Sequence, residues 1–192
     1  MGEIMSSIKS THGYNTIADL VLANVAPSEC WQKLLTLTNK LSVTRLAATD
    51  IDAEIMSVAH QLEAIWSVEP VPEDVTFLYF GLYDLQDKAV PRGRVGFYVS
   101  GGSSPSPAEA LRLGDKLSYG PKHGRLKCDL LDQIRMTEAE RPKEADVLDY
   151  AVMLGAAAIV VKGATQIVGV SLPVYVGFDS GDFIPMRAQR SC

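Results

Sequence analysis

Val75-Thr76-Phe77-Leu78-Tyr79-Phe80-Gly81-Leu82-Tyr83-Asp84-Leu85 is the stretch that decides the fold. Its residues fall into two alternating sets. Val75, Phe77, Tyr79, Gly81 and Tyr83 form one, and Thr76, Leu78, Phe80, Leu82 and Asp84 the other. Successive side chains of a strand point to opposite faces, so a strand apolar on both is covered on both and belongs in the middle of a sheet. The aromatic and branched content suits a pleated surface.

Downstream, Gln86 to Gly93 is a polar connection into a second strand from Arg94 to Ser100, long enough to pair antiparallel with the first. The connection is longer than the commonest hairpin turns. Upstream the period changes. Trp31, Leu34, Leu35, Thr38 and Leu41 recur at three and four, as do Ile51, Ile55, Val58, Leu62 and Ile65, so Ile17 to Ser67 reads as helices with one apolar face each. Pro27 with Ser28 opens the first of the two. Thr49 and Asp50 offer capping oxygens to the second, with Asp52 and Glu54 favourably placed in its first turn. Two prolines within Val68 to Asp74 end the helical block.

Beyond the hairpin, Gly101-Gly102-Ser103-Ser104-Pro105-Ser106-Pro107 leads to a short helix, with Ser106 and Glu109 spaced as a capping box and Pro107 at the first helical position. Tyr119 to Gly124 reads as a loop and Leu126 to Glu140 as an amphipathic helix. Glu144 to Lys162 reads as a helix apolar nearly all round, its Ala156-Ala157-Ala158 allowing close approach, and so as the buried central helix. Leu172, Val174, Val176 and Phe178 alternate, Asp179-Ser180-Gly181 supplies turn chemistry, and Phe183 and Ile184 start a return strand. The expectation is a single α+β domain over residues 1–192. It has a helical lead-in (1–74), a sheet with helices (75–186) and a tail (187–192). The sheet is expected to be antiparallel with about four strands, packed with the N-terminal helices and the buried C-terminal one.

A chain of 192 residues buries roughly 70% of its unfolded surface and needs no staple. Cys30, Cys128 and Cys192 are odd in number and far apart, which fits neither a disulfide framework nor a zinc site, and points to a reducing compartment. The N-terminus lacks the pattern of a signal peptide, and the longest apolar run, Ala151 to Val161, is too short for a membrane span of about 18 residues. A cytoplasmic location follows as an expectation, without membrane contact.

The net charge of −5 is uneven: residues 1–74 hold ten acids against four bases, and the remainder is near neutral. An acidic N-terminal half disfavours phosphate-backbone binding and favours a basic partner, or else solvates helix surfaces. The Gly-Ser loop has neither a Walker lysine nor the dinucleotide spacing of three glycines. Asp179 and Asp182 flank a turn where a cation or other ligand could meet two carboxylates, yet calcium needs about six to eight oxygens. No metal site and no cofactor is expected. His12, His60 and His123 have no metal-ligand spacing, and His123, Cys128 and Asp129 are the nearest approach to a nucleophilic arrangement. Lys116, Lys122, His123, Arg125 and Lys127 form the only local basic cluster; it could clamp an acidic ligand or stack a base, or lie in a solvated loop.

Leu78-Tyr79-Phe80-Gly81-Leu82-Tyr83, the strand ending Tyr98-Val99-Ser100-Gly101-Gly102, and Val176-Gly177-Phe178-Asp179-Ser180-Gly181-Asp182-Phe183 resemble in layout small bacterial α+β proteins of toxin-immunity type. The resemblance implies a protein partner blocked by occlusion and carries over no functional residue. The expected partner surface combines Asp50, Asp52 and Glu54 with Tyr79 and Tyr83, facing a basic toxin or effector rather than nucleic acid. A small enzyme around Asp179, Asp182, His123 or Cys128, or a small-molecule binding domain, are the alternatives. No catalytic residue is assigned.

Overall fold

The structure is a computed structural model and describes residues 11–37, 44–85, 94–113, 117–140, 151–178 and 183–186. The helical lead-in comprises α1 (Thr11–Leu22), α2 (Pro27–Leu37), the single turn α3 (Thr44–Ala47) and α4 (Ile51–Val68). Then follow β1 (Phe77–Leu85), β2 (Arg94–Gly102), α5 (Pro107–Leu113), β3 (Arg125–Lys127), α6 (Asp129–Glu140), α7 (Met153–Val168), β4 (Val174–Phe178) and β5 (Phe183–Met186).

β1 is central, as its two apolar faces require. On one side it pairs antiparallel with β2, Phe80 opposite Val99; on the other it pairs parallel with β4, Phe80 opposite Val176. β3 lies outside β2 and β5 outside β4, both antiparallel, giving the order β3-β2-β1-β4-β5. The sheet therefore has five strands and is mixed, where about four antiparallel strands were expected. Period-two patterning shows that a segment is a strand but not which neighbour it takes. The long return through α5, α6 and α7 lets β4 come back beside β1 in the same direction, a crossover no tight turn could make. The added strand, β3, has three residues in an exposed-buried-exposed pattern, too few to stand out from a loop.

Leu78, Phe80 and Leu82 of β1, Val95, Phe97 and Val99 of β2, Leu126 of β3, Val174 and Val176 of β4, and Ile184 and Met186 of β5 all join one hydrophobic core. The helices cover this face, and the same core takes in Ile17, Val21, Trp31, Leu34 and Leu46 from the lead-in. Trp31 shows how the lead-in is held: its ring is 1% exposed, and its indole N–H donates to the Leu46 carbonyl at 3.0 Å, tying α2 to α3. A fully buried indole of this kind is worth several kcal/mol against truncation, about 3–5.

α7 is the central helix, packed on α1, α2, α4, α6, β4 and β5. Met153 to Val161 are all buried, and Ala156, Ala157 and Ala158 keep the helix thin enough to be surrounded. Where α4 crosses it, a Cβ on Gly163 would sit 2.7 Å from Ile55 Cδ1, so the crossing depends on that missing atom. The helix was expected to end at Lys162; it continues six residues further, because packing on α4 outweighs the low helix propensity of glycine. It stops at Gly169, whose φ of +77° turns the chain left-handed while Val170 N–H reaches back to Thr165 O at 2.9 Å. Residues 144–150 of that expected helix, Thr38 and Leu41 of the earlier one, the turn Asp179-Ser180-Gly181 and the tail 187–192 lie outside the described residues.

Both sheet edges are blocked. On β3, Lys127 turns its N–H and C=O away from β2, and the Gln61 side chain of α4 takes both: Lys127 N–H donates to Gln61 Oε1 at 2.8 Å, and Gln61 Nε2 donates to Lys127 O at 2.9 Å. One amide thus imitates a neighbouring strand. On β5, Pro185 removes a donor and the Tyr14 hydroxyl donates to Phe183 O. An open edge invites pairing with another chain.

Candidate binding face

The second face of the sheet carries rings over glycines. Phe77, Tyr79, Gly81 and Tyr83 of β1 lie beside Gly102, Ser100, Tyr98 and Gly96 of β2, with Tyr175 and Gly177 of β4 next along. The face divides in two. Towards β4, Phe77 and Tyr79 are buried, at 1% and 5% exposed. Phe77 meets Tyr175 edge-on at 5.8 Å, Tyr175 meets Phe183 at 5.5 Å, and the Tyr79 hydroxyl donates to Phe178 O at 3.0 Å. This part is core. Tyr79, expected at a partner surface, is therefore enclosed by its neighbours.

Towards β3 the face opens. Tyr83 and Tyr98 are half-buried with centroids 6.3 Å apart, and Tyr79 meets Tyr98 at 6.0 Å. The ring of Tyr98 lies across Gly81, its partner in register, so closely that a Cβ there would overlap its Cζ and hydroxyl end. Tyr83 lies likewise over Gly96, its hydroxyl 3.0 Å from where a Cβ would stand. Arg125 stands opposite Tyr98 on β3 and places its guanidinium 5.5 Å from the Tyr83 centroid, a cation–π arrangement. Burial raises the Tyr83 phenol above its ordinary value, Arg125 opposing and Asp132 adding; the hydroxyl is a proton donor at neutral pH.

A groove of about 350 Å³ runs between these rings and the 120–125 turn, lined by Tyr83, Tyr98, Ser100, Pro121, Lys122 and Arg125. The turn is fixed from both ends. Tyr119 exchanges backbone hydrogen bonds with Gly101 at 2.9 and 3.0 Å, and its hydroxyl donates to Glu69 O at 3.1 Å. Lys122 N–H donates to the Glu69 carboxylate at 2.6 Å, and Gly124 N–H to Pro121 O at 2.9 Å. What reads in sequence as a free loop is thus pinned to β2 and to the end of α4.

Two of the three acidic residues expected at the partner surface, Asp50 and Glu54, bond backbone amides within the fold. Asp50 is the N-cap of α4, accepting from Ala53 N–H at 3.1 Å. Thr49, read with Asp50 as a source of capping oxygens, donates to Gln133 Oε1 on α6. The Glu54 carboxylate accepts from Asp129 N–H at 3.1 Å, satisfying the first turn of α6, and lies 3.5 Å from Cys128 Sγ. Asp52 is exposed in the first turn of α4. Cys128 is buried while His123 is exposed, and burial, the chief cause, pushes the Cys128 thiol far above its ordinary value, with Glu54 adding to it. That direction opposes formation of the thiolate that a nucleophilic cysteine in the His123, Cys128 and Asp129 arrangement would need. Asp179 and Asp182 lie outside the described residues.

Further recesses occur among the described residues. One, of about 500 Å³, is formed by Ser106 to Glu109 and Tyr175; another, of about 90 Å³, lies between α1, α2 and α7. In the smaller, Lys162 donates to the carbonyls of Val21 and Ala23 at 2.8 and 2.9 Å, satisfying the end of α1. Among the described residues no group of three or more His, Cys, Asp or Glu gathers where a metal could bind, and no helix is long and apolar enough to cross a membrane. No family model, curated protein or solved structure matches this chain.

Tyr98 is the site residue that sequence reasoning missed. Its period-two position in β2 is legible, but its place over Gly81 needs the β1–β2 register.

Proposed function

We propose that this protein is a protein-binding module of toxin-immunity type that acts by occlusion, and that its contact surface is the open part of the sheet at Tyr83, Tyr98 and Arg125. One observation carries the reading: two half-exposed tyrosines and an arginine are held in fixed geometry beside a rigid groove. Tyrosine and arginine are enriched among the residues that dominate binding energies at protein interfaces, tyrosine because it presents a large contact area at low entropic cost. Rings seated on Gly81 and Gly96 have little freedom left to lose on docking. The acidic lead-in then acts on a partner at longer range through its field.

The test is affinity purification of the tagged protein from its source cells, in parallel with Tyr83→Ala and Tyr98→Ala. The expected result is one stoichiometric protein partner whose recovery falls at least tenfold in both variants, each variant still melting cooperatively by circular dichroism. A partner retained equally by both, and lost instead on reversing Asp50, Asp52 and Glu54, would place the interface on the lead-in.

A further inference from the structure

We infer, resting on the protein-binding reading above, that the groove between Tyr83, Tyr98 and the 120–125 turn takes an acidic peptide segment of the partner, with carboxylates on Arg125 and Lys122 and an apolar side chain on the tyrosines. The sequence shows a basic cluster and an aromatic stripe as separate features, and the fold sets them side by side. Arg125 and Lys127 share one face of β3 and are exposed, and Lys122 and His123 are exposed on the turn.

Two carboxylates near this cluster are directed at backbone amides: Asp132 accepts from Val95 N–H at 3.0 Å, and Glu69 from Lys122 N–H at 2.6 Å. Neither carboxylate lines the groove, whose charged lining residues are Lys122 and Arg125, so it is a local cationic site on a molecule of net charge −5.

That contrast selects the ligand. A nucleic-acid strand would carry its charge beyond the groove, over an acidic body, within reach of a field that decays over about 8 Å at physiological salt. It would also need free ring faces for its bases. Here one face of Tyr83 is taken by Arg125, and Tyr98 is set edge-on to Tyr79 and tilted against Tyr83. A short acidic segment confines its charge to the groove, whose volume of about 350 Å³ lies at the small end of ligand sites, ~300–1,000 Å³. The guanidinium of Arg125 can stay flat on Tyr83 while its edge forks onto a carboxylate. Strand addition at Lys127 is excluded by Gln61, which holds both backbone groups there. Recognition therefore runs through side chains.

The experiment is selection of a random nonapeptide library on the purified protein, on Arg125→Glu, and on the double variant Lys122→Glu with Arg125→Glu. Peptides enriched on the wild type should carry two or more Asp or Glu beside an apolar residue. Fluorescein-labelled copies should bind the Arg125→Glu variant at least tenfold more weakly, and added salt should weaken binding to the wild type. The double variant should select Lys and Arg instead. No enrichment, enrichment in bases, a pool unchanged by charge reversal, or tighter binding of a labelled oligothymidine would each overturn the inference. If the partner from source cells depends on Tyr83 and Tyr98 but not on Arg125 and Lys122, the acidic-segment inference fails while the protein-binding reading stands. If it depends on none of the four, both fail.

Discussion

Replacing Gly81 by alanine places a methyl group where the Tyr98 ring now lies, and the ring must swing aside. In moving it leaves Tyr79 and Tyr83, whose centroids stand at 6.0 and 6.3 Å. Each aromatic pair contributes about 0.5–1.5 kcal/mol, so the loss is about 1–3 kcal/mol. Against this, alanine in a strand interior gains about 0.5–1 kcal/mol over glycine through backbone entropy. The net expectation is a destabilisation of about 0–2.5 kcal/mol. With Tyr98 already changed to alanine there is no ring to displace, and Gly81→Ala should turn stabilising by about 0.5–1 kcal/mol. The measurement is a double-mutant cycle from urea denaturation, read as midpoint shifts at constant slope. A Gly81→Ala effect of the same sign and size with and without Tyr98 would refute the account of this face.

Gln61→Ala should cost about 1 kcal/mol from two exposed hydrogen bonds and raise self-association, visible by sedimentation, because it bares the β3 edge. Gln61→Glu keeps an acceptor for Lys127 N–H but sets a carboxylate against Lys127 O. Its carboxyl should therefore titrate above the usual value, and the variant should gain stability on the wild type as the pH falls from that raised value towards about 4.3. Burial lowers the Lys162 amine below its ordinary 10.5, with Cys30 opposing. Between the lowered folded value and 10.5 the unfolded chain keeps a proton that the folded chain has lost, so this lysine makes stability rise with pH in that window. Lys162→Met should abolish that slope while leaving the molecule less stable at neutral pH, for want of a donor to Val21 O and Ala23 O; an unchanged slope would show that Lys162 is not its source.

Much of the fold was legible where one period dominates. The alternation from Val75 to Leu85 marks a strand covered on both faces, and the apolar stripe from Ile51 to Ile65 marks α4 with its cap at Asp50. Pairing was not legible. Whether Val176 meets Phe80 in parallel or Val99 in antiparallel fashion depends on the path of the long return, which leaves no trace in local composition. The site was legible in halves. Arg125 and Tyr83 stand out as a base and a ring, but their meeting needs β3, three residues that pattern alone assigns to a loop and a helix start. Asp50 and Glu54 were legible as acids but only half legible in their local partners: Asp50 caps its own helix, as its position suggests, whereas the backbone amide that Glu54 accepts from belongs to α6 and is visible only in the fold.

The parallel pairing of β1 with β4 also has a consequence for synthesis. When the ribosome has emitted β1 and β2, one side of β1 still lacks its neighbour, and that neighbour begins about 70 residues beyond the end of β2. Throughout that interval the nascent chain displays an unfinished ladder of backbone donors and acceptors. Translation pauses ahead of Val174 would lengthen its exposure, and this is the window in which a chaperone, or a mispairing neighbour on the same polysome, would meet it.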